Sequence, residues 1–117
     1  MTSGPELFLN ITGGKCAQMI RHVVFFKFKP EASKAQRDSV VAQLRALPDQ
    51  IDVIRKFEVG ENILPQARAW DAVLIGEYDD LAALDVYSNH PAHVAVVARI
   101  REISDSVGSV DYEFGVD

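Results

Sequence analysis

The sequence is short of positive charge, of cysteine and of long apolar runs, and each shortage removes a class of function. Its 12 Lys and Arg stand against 17 Asp and Glu, a net charge of −5 over 117 residues. Nucleic-acid binders neutralise phosphates with a basic surface, so a nucleic-acid partner is not expected. The same charge balance argues against docking on an anionic membrane. One cysteine, Cys16, excludes an intrachain disulfide, and with no metal-thiolate or redox motif around it the residue reads as an ordinary free thiol. No apolar run reaches the ~20 residues that a membrane-spanning helix needs. The N-terminus has neither the basic start nor the apolar stretch of a secretory signal. The Asn10-Ile11-Thr12 sequon therefore carries no weight, and a cytoplasmic location is the default expectation. Gly-rich phosphate loops, nucleophile elbows and Cys-x-x-Cys pairs are missing too, so the sequence implies no cofactor.

What is present fits one small domain. The chain is 48% hydrophobic and 25% charged, an ordinary balance for a globular protein. Residues 1–18 hold Gly4-Pro5 and Gly13-Gly14 around a short apolar stretch at 7–11. They read as an extension, a loop or one short extra strand lying on a sheet edge or a partner subunit. The domain proper is expected over 19–117.

Residues 20–28 are β-branched and aromatic and predict a strand. His22, Val24, Phe26 and Phe28 share one face of it, and Arg21, Val23, Phe25 and Lys27 the other. Ser33 with Gln36 three residues later forms a capping box. The helix it opens carries Val40, Val41, Leu44 and Leu47 on one stripe, and Pro48-Asp49 closes it. Two strands are expected near 52–59 and 72–78. Asp79 or Asp80 then caps a short helix with Leu81, Leu84 and Tyr87 on one side. Asn89-His90-Pro91 interrupts the helical pattern, a further helix runs to about Ser104, and a last strand spans 110–114.

The order β-α-β-β-α-β predicts an α+β, ferredoxin-like domain: a four-stranded antiparallel sheet with its helices on one face. Strands one and three are apolar on both faces, whereas the helices cover only one. The open face would exceed the apolar patch that monomers usually show. Face-to-face pairing into a homodimer resolves the excess.

Candidate chemistry concentrates in Tyr87-Ser88-Asn89-His90-Pro91-Ala92-His93. In an unbroken helix, residues six apart point about 240° from each other. The proline break frees the chain to turn at Asn89-His90, so that Tyr87 and His93 can converge over the sheet. An imidazole and a phenol form a general base and a hydrogen-bond donor, and His22 would point into the same space. Each residue also has a plainer reading. Tyr87 fits a core aromatic, His93 a capping or surface residue, His22 a satisfied core histidine and His90 a turn residue. His90 and His93 offer two ligands where a catalytic zinc takes three, so no metal site is expected. Trp70, before strand three, is either a lid or a packing residue.

From Met19 onward the chain resembles the stress-responsive α/β-barrel (Dabb) family of the dimeric α/β-barrel superfamily. The resemblance rests on Met19-Ile20-Arg21-His22-Val23-Val24-Phe25-Phe26-Lys27-Phe28-Lys29, on Val59-Gly60-Glu61-Asn62, on Tyr87-x-x-His90-Pro91-x-His93-Val94 and on Asp111-Tyr112. It implies a dimeric barrel and a cofactor-free pocket. In members that cyclise linear polyketides, the positions matching Tyr87 and His93 are the acid/base pair. The position matching His22 lines their pocket, and Val41 and Leu44 fall at wall positions. Where plant cyclases carry a further histidine at the start of strand three, this sequence has Asp71-Ala72, a departure from the cyclase pattern. The expectation is a pocket for a small carbonyl or polyketide-like, hydrophobic or aromatic ligand. It has Tyr87, His93 and His22 as polar points, Val24, Phe26, Val41 and Leu44 among its walls, and cofactor-free proton transfer as its chemistry. The alternative is a non-catalytic stress-response dimer that binds a ligand or partner protein.

Overall fold

Alternation of β-branched and aromatic residues drives the first strand, and the rest of the sheet is assembled around it. The computed structural model describes residues 17–116. Strand β1 (Ala17–Phe28) leads into helix α1 (Lys34–Arg45), strands β2 (Lys56–Glu61) and β3 (Ala72–Tyr78), helices α2 (Leu81–Asn89) and α3 (Pro91–Ile103), and strand β4 (Ser104–Val116). The strands lie in the order β2-β3-β1-β4, every neighbouring pair antiparallel. This is the ferredoxin-like α+β layout that the element order implies. The stretch at 7–11 and Cys16 lie outside the described residues.

Local chemistry sets the helix starts. Ser33 Oγ accepts from the Gln36 amide (3.1 Å), while the Gln36 side chain accepts from the Ser33 amide (2.8 Å), closing the capping box. Asp80, rather than Asp79, caps α2 by accepting from the Ala83 amide at 2.8 Å. Asp79 instead pairs with Arg55. Two strands differ in extent from the sequence pattern. β2 begins at Lys56 and not near 52, because Ile51 and Val53 reach the core from the turn that follows the short 3-10 segment Leu47–Asp49. β4 extends from Ser104, well before 110. Its polar first half shows no alternation, but the backbone of β1 pairs with it over its whole length.

Register settles which residues face the helices. His22, Val24, Phe26 and Phe28 on β1 share a face with Leu74, Gly76 and Tyr78 on β3. On β4 the same face carries Val107, Ser109 and Asp111. This face packs under α1 and α3, with Val40, Val41, Leu44, Leu47, Val96 and Ile100 buried against it. The other face carries Val23, Phe25, Val73, Ile75 and Val110, with no helix over it. Near one end of that open face Arg21 reaches Glu77 through two nitrogens (3.2 and 3.0 Å) and lies 3.9 Å over the Phe114 ring.

Gly76 holds the helix-covered face together at its tightest point. A Cβ there would sit 2.7 Å from the Tyr78 hydroxyl oxygen, closer than side-chain atoms approach. Tyr78 is fully buried, so its ring has little room to retreat. Gly76→Ala should cost about 1–3 kcal/mol in urea denaturation, the usual scale of overpacking. Adding Tyr78→Phe, which removes the nearest atom, should recover part of that loss. A double variant no more stable than Gly76→Ala would place the strain elsewhere.

Candidate functional site

The break between α2 and α3 is a redistribution of backbone hydrogen bonds. Pro91 has no amide hydrogen, so the Tyr87 carbonyl cannot be reached from four residues on. It accepts from the His90 amide instead, at 3.2 Å. His90 is extended (φ −64°, ψ 136°), as a residue before proline prefers. Its Nδ1 accepts from the Ala92 amide at 3.0 Å, so His90 is the N-cap of α3. In a continuous helix that amide would have bonded the Ser88 carbonyl. Freed of it, Ser88 O accepts from His93 Nδ1 at 2.9 Å.

A carbonyl oxygen only accepts, so the Nδ1 of His93 carries the hydrogen, and the neutral ring keeps its lone pair on Nε2. His22 is fixed in the same way. Its Nδ1 donates to the Asp111 carboxylate across the β1–β4 ladder, where the two residues are direct partners. Both imidazoles are thereby oriented through their Nδ1 hydrogens, His93 by a backbone carbonyl and His22 by a carboxylate. Between them stands Tyr87, buried, with its ring centre 4.3 Å from that of His93 and 6.0 Å from that of His22. Tyr78 lies behind it at 5.0 Å.

His22, Tyr87 and His93 line a cavity of about 220 Å³ between the sheet and the helices. The structure places His22, Val24, Phe26, Leu44, Tyr87 and His93 around it. Val41 is not among the lining residues. It is buried three residues before Leu44, nearly one helical turn away, and borders a separate outer depression with Asp38, Arg45 and Glu61. Val97, Ile100, Arg101, Leu74 and Val107 complete the wall. Val97 and Arg101 follow His93 at successive intervals of four on α3, a signal present in the sequence. Asp111 as the partner of His22 becomes visible only once the β1–β4 register is known. Trp70 packs toward Phe25 at 5.9 Å on the opposite face of the sheet, well away from this cavity. Among the described residues no group of three or more His, Cys, Asp or Glu is arranged to hold a metal, and no helix is long and apolar enough to cross a membrane.

Electrostatics assigns the protonation states. Burial lowers the pKa of His93 from its ordinary 6.5, and nearby His22 lowers it further, while the Ser88 carbonyl works in the opposite direction. The ring is therefore neutral at pH 7. Burial pushes the Tyr87 phenol up to about 12, and raises Tyr78 even more. Both phenols are thus protonated donors near neutrality. The Tyr78 hydroxyl has no hydrogen-bond partner among the described residues.

Comparison with known proteins gives a consistent result. The family model for the Stress responsive A/B Barrel Domain matches residues 20–114. An uncharacterized protein of Streptomyces coelicolor is 39% identical over 98 residues, which span 82% of this chain and 100% of that one. A dimeric protein of unknown function with a ferredoxin-like fold, from Bacteroides fragilis, superposes with a TM-score of 0.73 at 37% identity. That match covers 82% of this chain and 96% of the other. The hydroxynitrile lyase of Passiflora edulis superposes with a TM-score of 0.77 over 85% of this chain and 95% of its own, at 16% identity. The likeness to the lyase is one of fold.

The depressed pKa of His93 makes a stability prediction. The unfolded imidazole takes up its proton near pH 6.5, and the folded one resists until lower pH. The unfolded state therefore binds more protons in that window, and stability drops as pH falls below about 6.5. Melting curves between pH 8 and 5 should show this drop, and His93→Gln should flatten it. Equal slopes in both proteins would remove His93 as its source.

Proposed function

The chain belongs to the stress responsive A/B barrel domain family, and on that footing we propose that it is a homodimer. Each protomer would bind a small carbonyl compound in the cavity under α1 and α3 and move a proton on it without a cofactor. The observation that carries this reading is the tautomer lock. His93 spends its Nδ1 hydrogen on Ser88 O, and His22 spends its own on Asp111, beside a protonated Tyr87 in one cavity. Nε2 of His93 is then a base that is neutral and ready at pH 7. A filled interior would have favoured a non-catalytic binding protein. An open cavity of about 220 Å³ with phenol and imidazoles on its wall supports chemistry.

In the proposed step His93 Nε2 takes a proton from the carbon next to the carbonyl of the ligand. The C–H electron pair becomes the enolate double bond, and the carbonyl oxygen gains the negative charge. The Tyr87 hydroxyl donates to that oxygen as charge develops, which a buried donor does more effectively than water. The protonated imidazole then returns a proton to carbon, or passes it to the oxygen. His22 stands beside the pair as the second imidazole of the cavity.

Proton exchange tests this directly. In D2O, acetophenone should lose its methyl protons, followed by proton NMR, faster with the protein than with buffer alone. Tyr87→Phe should lower the catalysed rate by about 10²–10³, equivalent to roughly 3–4 kcal/mol of barrier. His93→Ala should bring it to background. A wild-type rate equal to that of buffer would leave a ligand-binding dimer in place of an enzyme.

The homodimer rests on the open sheet face and on the dimeric relative from Bacteroides fragilis. Val23, Phe25, Val73 and Ile75 form an apolar strip that the chain's own helices do not reach. Light scattering after gel filtration should give twice the chain mass. Val23→Glu combined with Ile75→Lys should shift it to the monomer with helical content retained. A wild-type monomer at high concentration would end the proposal.

A further inference from the structure

The cavity is polar at both ends, and only one end is used by the proton-transfer reading. Helix α3 contributes His93, Val97 and Arg101 to the wall, spaced i, i+4 and i+8 on one stripe. Eight residues at the helical rise put about 12 Å between the backbone of His93 and that of Arg101. Strand β1 runs the same course, with His22 at one end and Phe26, four residues or about 13 Å along, at the other. Val107, the β4 partner of Phe26, closes the wall on that side. The cavity thus reads from imidazoles and phenol, through an apolar middle, to a guanidinium.

Four of the seven arginines are committed to partners among the described residues, and of the other three, Arg37, Arg68 and Arg101, only Arg101 lines this cavity. Arg21 pairs with Glu77 and Arg55 with Asp79. Arg99 donates to Gln43 and Ser39, and Arg45 to the Val59 carbonyl. Arg101 has no ion pair and no hydrogen bond among the described residues, and it borders a cavity. The carboxylate that also belongs to the site, Asp111, is taken by His22. In a chain with a net charge of −5, an uncommitted guanidinium at a pocket wall is the local exception to an acidic surface.

We propose that the ligand of this cavity is a small carboxylate, held by Arg101 at one end with its carbonyl or phenolic end against Tyr87 and His93. This rests on the pocket reading above and adds the charge and size of the ligand to it. A planar guanidinium matches a carboxylate through two parallel hydrogen bonds, which fixes orientation as well as affinity. Size narrows the class further. A cavity of about 150 Å³ accepts benzene, so about 220 Å³ accommodates one substituted ring or a chain of similar bulk. The two ends then orient the ligand, and the apolar middle, with Val24, Leu44 and Val97, excludes water from the reacting centre.

The experiment uses two probes of the same shape, 4-hydroxybenzoate and 4-hydroxybenzamide, which differ in charge at one end. Binding is measured at pH 7.5 by titration calorimetry and by amide shifts in nitrogen–proton NMR spectra. The proposal expects the carboxylate to bind at least tenfold more tightly than the amide, with shifts at α3. Arg101→Gln should erase that preference, so that the variant binds both probes alike. Gln has helix propensity close to that of Arg, and the site is exposed, so the variant should melt with the wild type. Equal binding of both probes to the wild type, or an unchanged preference in Arg101→Gln, overturns the carboxylate assignment and leaves the pocket intact. Failure of both probes to bind at millimolar concentration overturns the assignment together with the pocket.

Discussion

A missing amide hydrogen organises this molecule's functional end. Pro91 cannot donate to Tyr87 O, and one local exchange follows from that. His90 N takes Tyr87 O, His90 Nδ1 takes the Ala92 amide, and Ser88 O is left for the imidazole of His93. No long-range contact is needed to produce the tautomer of His93, since the backbone at the helix junction dictates it. The same turn brings Tyr87 and His93 into ring contact although they are six residues apart. A proline usually ends or kinks a helix, and here the break it makes orients an imidazole.

The sheet imposes the second constraint. Its strands alternate large apolar groups onto both faces, and the chain supplies helices for only one. On the covered face, packing is tight enough that Gly76 is needed to accommodate Tyr78. The aromatic cluster of Tyr78, Tyr87, His22 and Phe57 that results is continuous with the cavity wall. The family to which the chain belongs, and a dimeric relative at 37% identity, fit an open face that meets a second copy.

Much of this was readable in the sequence, for identifiable reasons. Unbroken β-branched and aromatic runs located β1 and β3, and Ser33 and Gln36 announced the start of α1. The His90-Pro91 pair announced the helix break, because proline acts on its nearest neighbours. What sequence did not disclose depends on pairing across the sheet. Asp111 meets His22 only through the β1–β4 register. Gly76 matters only because Tyr78 folds back over it, and Tyr78 itself looked like the plain end of a strand. Val41 sits on the same helical stripe as Leu44, three residues earlier, yet Leu44 lines the cavity while Val41 borders the outer depression. Alternation could not find the first half of β4, since Ser104, Ser106 and Ser109 are held in the ladder by the backbone of β1 alone and the register shifts at Asp105.

Helix α3 ends at Ile103 and strand β4 begins at Ser104, with no loop between them. The junction is pinned to the start of the α1 connection by a bond from Lys29 N to Ile103 O at 2.8 Å. A loop would have absorbed movement, and its absence makes helix and strand a single crank. One arm of the crank carries His93 and Arg101, and the other carries Asp111 on the inner side and Val110 and Tyr112 on the outer. The helix that lines the cavity and the strand that borders the open sheet face are thus joined through one backbone corner with no intervening loop.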